Sequence, residues 1–367
     1  MNRKLLALAV GAALALPVTA QAAPTVYGLM NLSIDRVDLE SVPVEQVEVN
    51  SNSSRLGVKG EEALGNGLSA VYKAEWEVAG DVAGATDLTG RDRFLGLKSD
   101  TVGTLKLGAF DTPFKTSQGT VDQFNDMTYA DMGNFLSGEN RLDNMIAYES
   151  PKIADVLVIN AAVQSGEEVG ADDDDAASVS VVFTSGDLYF AAAMDNDVRD
   201  STFQGVMDAA LGTSGSGERF ARDALRLTGA FTLGDLQLGA LLQTSEFNEN
   251  PAASGYAPIG VVDPVFGPLV LDGLDIDEQS ILLSAAYTAG KNVFKGQVIK
   301  ADYEVEATVN ALGTASVDVE TTVIELGFDH NFTQNTKAYV QGSMAQYDIA
   351  GTELEDTVLS VGMLTRF

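Results

Sequence analysis

Apolar residues recur at every second position along most of this chain, and that period limits what it can fold into. In LSAVYKAEWEV, residues Leu68, Ala70, Tyr72, Ala74, Trp76 and Val78 fall on one face and Ser69, Lys73, Glu75 and Glu77 on the other. MNLSID repeats the pattern with Met30, Leu32 and Ile34 against Asn31, Ser33 and Asp35, and TLKLGA with Leu105, Leu107 and Ala109 against Thr104, Lys106 and Gly108. Near the other end, Leu236, Leu238, Ala240 and Leu242 oppose Gln237, Gly239 and Gln243, while Leu359, Val361, Met363 and Phe367 oppose Ser360, Gly362 and Arg366. Helical periodicity is absent from these stretches, so they predict strands with one apolar and one polar face.

Turn residues divide the strands into a rhythm. Tight connections are expected at Gly65-Asn66-Gly67, Asp100–Gly103, Ser150-Pro151-Lys152, Ser185-Gly186-Asp187, Leu233-Gly234-Asp235, Ala289-Gly290-Lys291 and Asn331–Asn335. Long polar insertions are expected at Val37–Glu48, Asp111–Asn140, Gly166–Asp175, Asp197–Phe220, Asn248–Ile276 and Glu304–Val317. About sixteen strands result, each near or above the roughly 9–11 residues that a tilted strand needs to cross a bilayer. Short turns alternating with long loops suit a barrel with one compact and one elaborated rim. In lipid, strands can satisfy every backbone group only by closing on themselves. The expected fold is therefore all-β: a sixteen-stranded antiparallel transmembrane β-barrel, too wide for side chains to fill and so holding an aqueous channel.

Composition removes several other classes. With 22 Lys+Arg against 53 Asp+Glu the formal net charge is −31, which opposes a nucleic-acid partner. The lack of cysteine excludes disulfides, thiolate metal sites and a cysteine nucleophile. Residues 1–22 read as a removed signal peptide: Arg3 and Lys4, an apolar stretch Leu5–Leu16, a break at Pro17, and Ala20-Gln21-Ala22 as the cleavage site. Its loss takes the net charge to −33 and leaves residues 23–367 as a single barrel domain. Beyond the signal no run of about 18 apolar residues occurs, so the rest has no transmembrane helix.

Several ordered motifs carry a family resemblance. TVYGLMNLSID, SSRLGVKGEEALGNGLSAVYKAEWEV, RDRFLGLKSDTVGTLKLGAFDTPFK, RLDNMIAYESP and the terminal LTRF closely resemble the Gram-negative general porins across residues 23–367. The resemblance implies a homotrimer of barrels in the outer membrane, in contact with lipid and lipopolysaccharide. Each barrel passively passes small hydrophilic solutes and ions without a cofactor. It further implies that the third long loop, here Asp111–Asn140, folds inward and that its acids face arginines on the wall. Arg55, Arg91 and Arg141 match wall arginines, and Arg93 is expected to share the face of Arg91. Asp122 and Asp126 are the best acidic matches, followed by Asp131 and Glu139. Where several porins carry a lysine after the first-strand Tyr-Gly, this chain has Leu29, which lowers the positive charge of the wall and favours cations.

Opposed fixed charges across a narrow wet gap sort permeants by charge and dipole without tight binding. The acidic excess falls mainly in expected loops, at Glu45, Glu48, Glu167, Glu168, Asp172–Asp175, Asp272, Asp275, Asp277 and Glu278. It reads as a solvated surface and as a negative vestibule, with divalent bridging to lipopolysaccharide a further option. The Asp172–Asp175 run lacks the spacing of a calcium loop, so no metal site is expected. Trp76, Tyr72 and Tyr148 fit an interfacial aromatic belt, and Phe367 resembles the assembly signal of outer-membrane barrels. Catalysis is not expected. The one histidine, His330, lies at a short turn and no G-x-S-x-G elbow is present. A substrate-selective channel, or a non-conducting adhesion or structural barrel, is the alternative.

Overall fold

A computed structural model describes residues 23–83, 88–165, 176–200, 220–249, 262–263, 267–268, 271–309 and 313–367. The expected signal peptide, Gly166–Asp175 with its aspartate run, and most of the insertions after Asp200 and Glu249 lie outside them.

The strands are β1 (Thr25–Leu39), β2 (Val44–Ser51), β3 (Arg55–Gly65), β4 (Leu68–Val78), β5 (Leu88–Ser99), β6 (Gly103–Asp111), β7 (Arg141–Glu149), β8 (Leu157–Gln164), β9 (Ala176–Ser185) and β10 (Leu188–Asp200). They continue as β11 (Phe220–Leu233), β12 (Leu236–Glu249), the two-residue strands β13 (Val262–Asp263) and β14 (Gly267–Pro268), and β15 (Leu271–Ala289). The last four are β16 (Asn292–Val309), β17 (Gly313–Asn331), β18 (Thr336–Ile349) and β19 (Thr352–Arg366). All but β13 and β14 join one antiparallel sheet of 17 strands. It closes where β1 pairs with β19, from Leu29↔Arg366 to Leu39↔Asp356. Phe367 extends the seam: its N–H donates to the Gly28 carbonyl and the Gly28 N–H to the Phe367 carbonyl, both at 3.0 Å.

The expected count of sixteen is met because β2 and β3 share one position in the ring. β2 pairs with the second half of β1, from Leu32↔Ser51 to Leu39↔Val44, and β3 with its first residues, from Thr25↔Lys59 to Leu29↔Arg55. Between them the chain kinks at Ser53, whose φ is 48°. The Asn52 N–H donates to the Asn31 carbonyl at 2.8 Å across the kink, so pairing is not lost there.

Two expected insertions are strand instead. Val37–Glu48 forms the β1–β2 hairpin, and most of Glu304–Val317 extends β16 and β17, paired from Glu304↔Asp318 to Val309↔Gly313. The polar residues of the second hairpin alternate with apolar ones, Glu304, Glu306, Ser316 and Asp318 against Val305, Val317 and Val319, so they mark one polar face and not an interruption of pairing. The turn expected at Ser150–Lys152 runs on to Val156 and is braced by an Ile153↔Leu157 bridge. The other six tight turns fall where the glycines and asparagines place them.

Burial is inverted relative to a water-soluble protein. Leu95, Leu107, Leu326, Leu359, Val361 and Met363 are exposed, whereas their polar neighbours Asn31, Glu325, Gln341 and Ser360 are buried. Residues 112–140 contribute to the burial, through contacts to Asn31 and to Gln297, the partner of Glu325. They begin with α1 (Pro113–Thr116), capped by Thr112, whose Oγ1 accepts from the Lys115 N–H at 3.1 Å, and they end near a 3₁₀ turn at Met132–Asn134. This loop touches strands spread around the ring. The Phe114 N–H donates to Ser178 on β9, Tyr189 on β10 donates to the Ser117 carbonyl, and Tyr303 on β16 donates to the Phe135 carbonyl. Tyr129 reaches Glu48 on β2, and Asp126 pairs with Arg55 on β3.

The largest apolar cluster lies under this loop. Val121, Met132, Phe135 and Leu136 pack on Ala230, Leu241, Leu282, Ile299, Val323 and Ala345, one residue from each of β11, β12 and β15–β18. Each loop side chain so buried contributes about 1.5–3 kcal/mol. Leu136→Ala should therefore weaken docking by about 2–5 kcal/mol. Hydrogen exchange at loop amides such as that of Phe135, which donates to the Met132 carbonyl, should be faster in this variant than in wild type, with the barrel still resistant to unfolding in detergent.

Candidate functional site

Against β11, β12 and β15–β18 the loop covers an apolar patch flanked by the buried arginines of β11, but against β3–β7 it borders an open charged cleft. A β-bulge sets the pattern. Ala74 pairs with Arg93 and Trp76 with Gly90, so Arg91 and Asp92 together oppose the single residue Glu75. Both consequently point to the side the loop occupies, and the residues after the bulge resume alternation with Arg93, Leu95 and Leu97 on the opposite, exposed face. Arg93 thus does not share the face of Arg91; the added residue reverses the parity on which that expectation rested.

The charges form an alternating chain. Asp126 of the loop lies 2.8 Å from Arg55 and 3.7 Å from Arg91. Arg91 binds Glu75 at 2.9 Å and Glu77 at 3.0 Å, and Lys73 lies 3.4 Å from Glu75 and 2.9 Å from Asp92. Asp92 continues to Arg141 at 2.9 Å, Arg141 to Asp111 at 2.8 Å, and Asp111 to Lys115 at 3.6 Å. All of these groups but Glu77, with Asp131, Thr116, Gln118, Gly119 and Asn125, line a cavity of about 320 Å³. No net positive charge results, because five cations and five carboxyl groups line it and Glu77 stands beside Arg91.

Of the residues singled out in the sequence, Arg55, Arg91, Arg141 and Asp126 meet in this cleft, and Asp122, Asp131 and Glu139 do not face those arginines. Asp122 is turned into the loop–wall contact, accepting from the N–H groups of Phe124 (2.8 Å) and Met132 (3.0 Å) and from the Gln297 amide (3.1 Å). Asp131 borders the cavity but caps the 3₁₀ turn, accepting from the N–H groups of Gly133 and Asp126. Glu139 pairs at 2.8 Å with Arg226 on β11, across the ring. Short acidic side chains in a loop bind the nearest free N–H groups, which motif matching does not register.

Sequence reasoning passed over the wall acids Glu75, Glu77 and Asp92. Glu75 and Glu77 were legible on the polar face of their strand. Asp92 depends on the bulge, of which Gly90 inside a strand was the available sign. It also missed the fully buried Arg222 and Arg226, whose guanidinium carbons lie 4.7 and 4.3 Å from the Phe114 ring centre and clasp it between them. Arg222 pairs with Asp195 and donates to Ser137, and Arg226 donates to Gln243 at 2.8 Å. His330 lies apart, its Nδ1 2.7 Å from the Asn292 amide oxygen and its ring edge-on to Phe332.

A closed antiparallel ring of sixteen positions, apolar outside and carrying one long docked loop, defines a barrel of the outer-membrane channel type. The model of the Gram-negative porin family matches residues 7–350, and the chain belongs to that family; it is an outer-membrane porin. It is 25% identical over 413 aligned positions to an outer membrane porin protein of Bordetella pertussis, with 100% of both chains covered. Among solved structures it resembles the anion-selective porin from Comamonas acidovorans, with a TM-score of 0.66, 19% identity and coverage of 94% of this chain and 99% of that one. It also resembles the trimer form of OmpT from Vibrio cholerae, with a TM-score of 0.60, 18% identity and coverage of 94% and 99%.

Burial, and then the charge of nearby Asp131, push the Asp122 carboxyl up to about 7, far above the ordinary carboxylate range. Burial also raises Asp131 and Glu139, in the latter against the attraction of Arg226. A raised carboxyl stabilises the docked loop most below its free pKa of about 4, and that contribution is lost as pH rises through about 7. The stability difference between wild type and Asp122→Asn should change across this window. Melting in detergent at pH about 4 and about 8 measures it, and the variant should lose less stability on going to the higher pH.

Proposed function

We propose that the loop between β6 and β7 lies inside the barrel and that the charged cleft between it and the β3–β7 wall is the passage for small hydrophilic solutes and ions. Diffusion is passive, down the concentration gradient, and its selectivity is that of a general porin. The observation that carries this reading is the loop's set of contacts, which covers an apolar patch on β11, β12 and β15–β18 and leaves a charged cleft of about 320 Å³ between the loop and β3–β7. Polar barrel interiors hold water, and fixed charges in a narrow wet passage act on permeants at short range.

A cation preference follows from the charge balance. Cleft cations are matched by acids, Leu29 supplies no charge to the wall, and the rim bearing the β1–β2, β16–β17 and β18–β19 connections carries Glu40, Glu45, Asp318, Glu320, Glu353 and Glu355. Negative potential over that rim concentrates cations at the mouth. The Comamonas relative is described as anion-selective, so the balance of charge in this chain, rather than the fold, would set the sign. The working unit is a homotrimer, as in the trimer form of the Vibrio protein, with the exposed apolar belt in contact with outer-membrane lipid and lipopolysaccharide. A removed leader, 1–22, precedes the single barrel domain, 23–367.

One charge about 5 Å from the ion path in a water-like medium is worth roughly 0.8 kcal/mol, or about a fourfold change in permeability ratio. In planar bilayers under a KCl gradient, wild type should give a cation-sided reversal potential. Arg91→Ala should increase conductance and cation preference, and Asp126→Asn should reduce that preference. Asp122→Asn should leave the sign and size of the preference unchanged, because its carboxyl does not face the cleft.

A further inference from the structure

We propose that Asp92 is a selectivity-determining residue of the cleft, holding in check two cations that the loop acid Asp126 does not reach. This rests on the cleft being the ion path. Asp92 uses its two oxygens on different partners: Oδ2 lies 2.9 Å from Lys73 and Oδ1 2.9 Å from Arg141. It therefore joins two groups of charge. On one side, Arg55, Arg91 and Lys73 are matched by Asp126, Glu75 and Glu77. On the other, Arg141 and Lys115 share Asp111 as a direct ion-pair partner, while Asp131, which also borders the cleft, is turned to the N–H groups of Gly133 and Asp126.

Without Asp92 the ion pairs of the first group remain, and in the second Arg141 loses one of its two ion-pair partners and shares the other, Asp111, with Lys115. Loss of Glu77 has a different consequence. Arg91 would still be held by Glu75 at 2.9 Å and by Asp126 at 3.7 Å, and the Glu77 side chain is 38% exposed, where water already screens it. Asp92 is 17% exposed and directly bridges two cations, so its charge is felt more strongly along the cleft. The bulge makes this possible: in an unbroken strand Asp92 and Arg91 would point to opposite faces.

The test compares reversal potentials under a KCl gradient for wild type, Asp92→Asn and Glu77→Gln, two substitutions of equal formal charge. Asp92→Asn should raise the chloride-to-potassium permeability ratio about three- to fourfold, and Glu77→Gln should raise it by less than half as much. The double variant Asp92→Asn/Arg141→Gln, which removes one charge of each sign, should return close to wild type. If Asp92→Asn does not insert, Arg141→Gln alone serves: it leaves Asp92 in surplus and should move the potential to the cation side by a similar factor. Equal effects of the two single substitutions, or an unmoved Arg141→Gln, would overturn the assignment. Absence of current in wild type would defeat the passage itself, whereas a conducting wild type that responds to Asp126→Asn but not to Asp92→Asn would sink only the role given to Asp92.

Discussion

Pairing of β1 with β19 is the contact on which the rest of the molecule depends. A sheet of this width, apolar on its outer face, has nowhere to leave a free edge in an outer-membrane barrel, because unpaired N–H and C=O groups in hydrocarbon cost several kcal/mol each. The seam satisfies them over the register Leu29↔Arg366 to Leu39↔Asp356. Phe367 adds two backbone bonds to Gly28, where a side chain would collide with its ring: a Cβ on Gly28 would sit 2.6 Å from the phenyl carbon Cζ. Closure also fixes which face of every strand turns inward, and so which residues can meet across the ring.

Once the ring is closed, a division of labour around its wall decides where the loop rests. Strands β11, β12 and β15–β18 present Ala230, Leu241, Leu282, Ile299, Val323 and Ala345 to it, an apolar patch on what is otherwise the polar face. Val121, Met132, Phe135 and Leu136 leave water by covering that patch. The buried Arg222 and Arg226 fasten the same end of the loop through Phe114, Ser137 and Glu139. Burial holds the loop on one side, and ion pairs hold open the charged cleft on the other. In the proposed passage the opposed rows of charge expected from the sequence become one alternating chain, in which wall acids as well as loop acids bind the arginines.

The period-two pattern was enough to read the barrel, because each strand has a wet and a greasy face and most of the tight turns carry glycine or asparagine. It misjudged Val37–Glu48 and Glu304–Val317, where dense acids and turn residues read as insertions although alternation continues through Glu304–Val309 and Thr314–Val319. The cleft was legible in part. Arg55, Arg91, Arg141 and Asp126 occupy positions where strand parity or a short loop contact leads them to one place. Arg93 and Asp92 were misassigned or overlooked for one reason, the bulge beside Gly90, which exchanges the faces of neighbouring residues. Asp122, Asp131 and Glu139 depend on how 29 loop residues fold among themselves, and no periodicity encodes that.

The central claim is that the loop covers the β11–β18 wall and leaves the β3–β7 side open to water and ions. Because the chain contains no cysteine, single-cysteine variants report position without background. A charged, water-soluble thiosulfonate applied during single-channel recording should sharply reduce the current through Gln118→Cys, which lines the cleft, and leave Leu241→Cys, buried beneath the loop, unaffected. Rapid block of Leu241→Cys together with an inert Gln118→Cys would contradict the account.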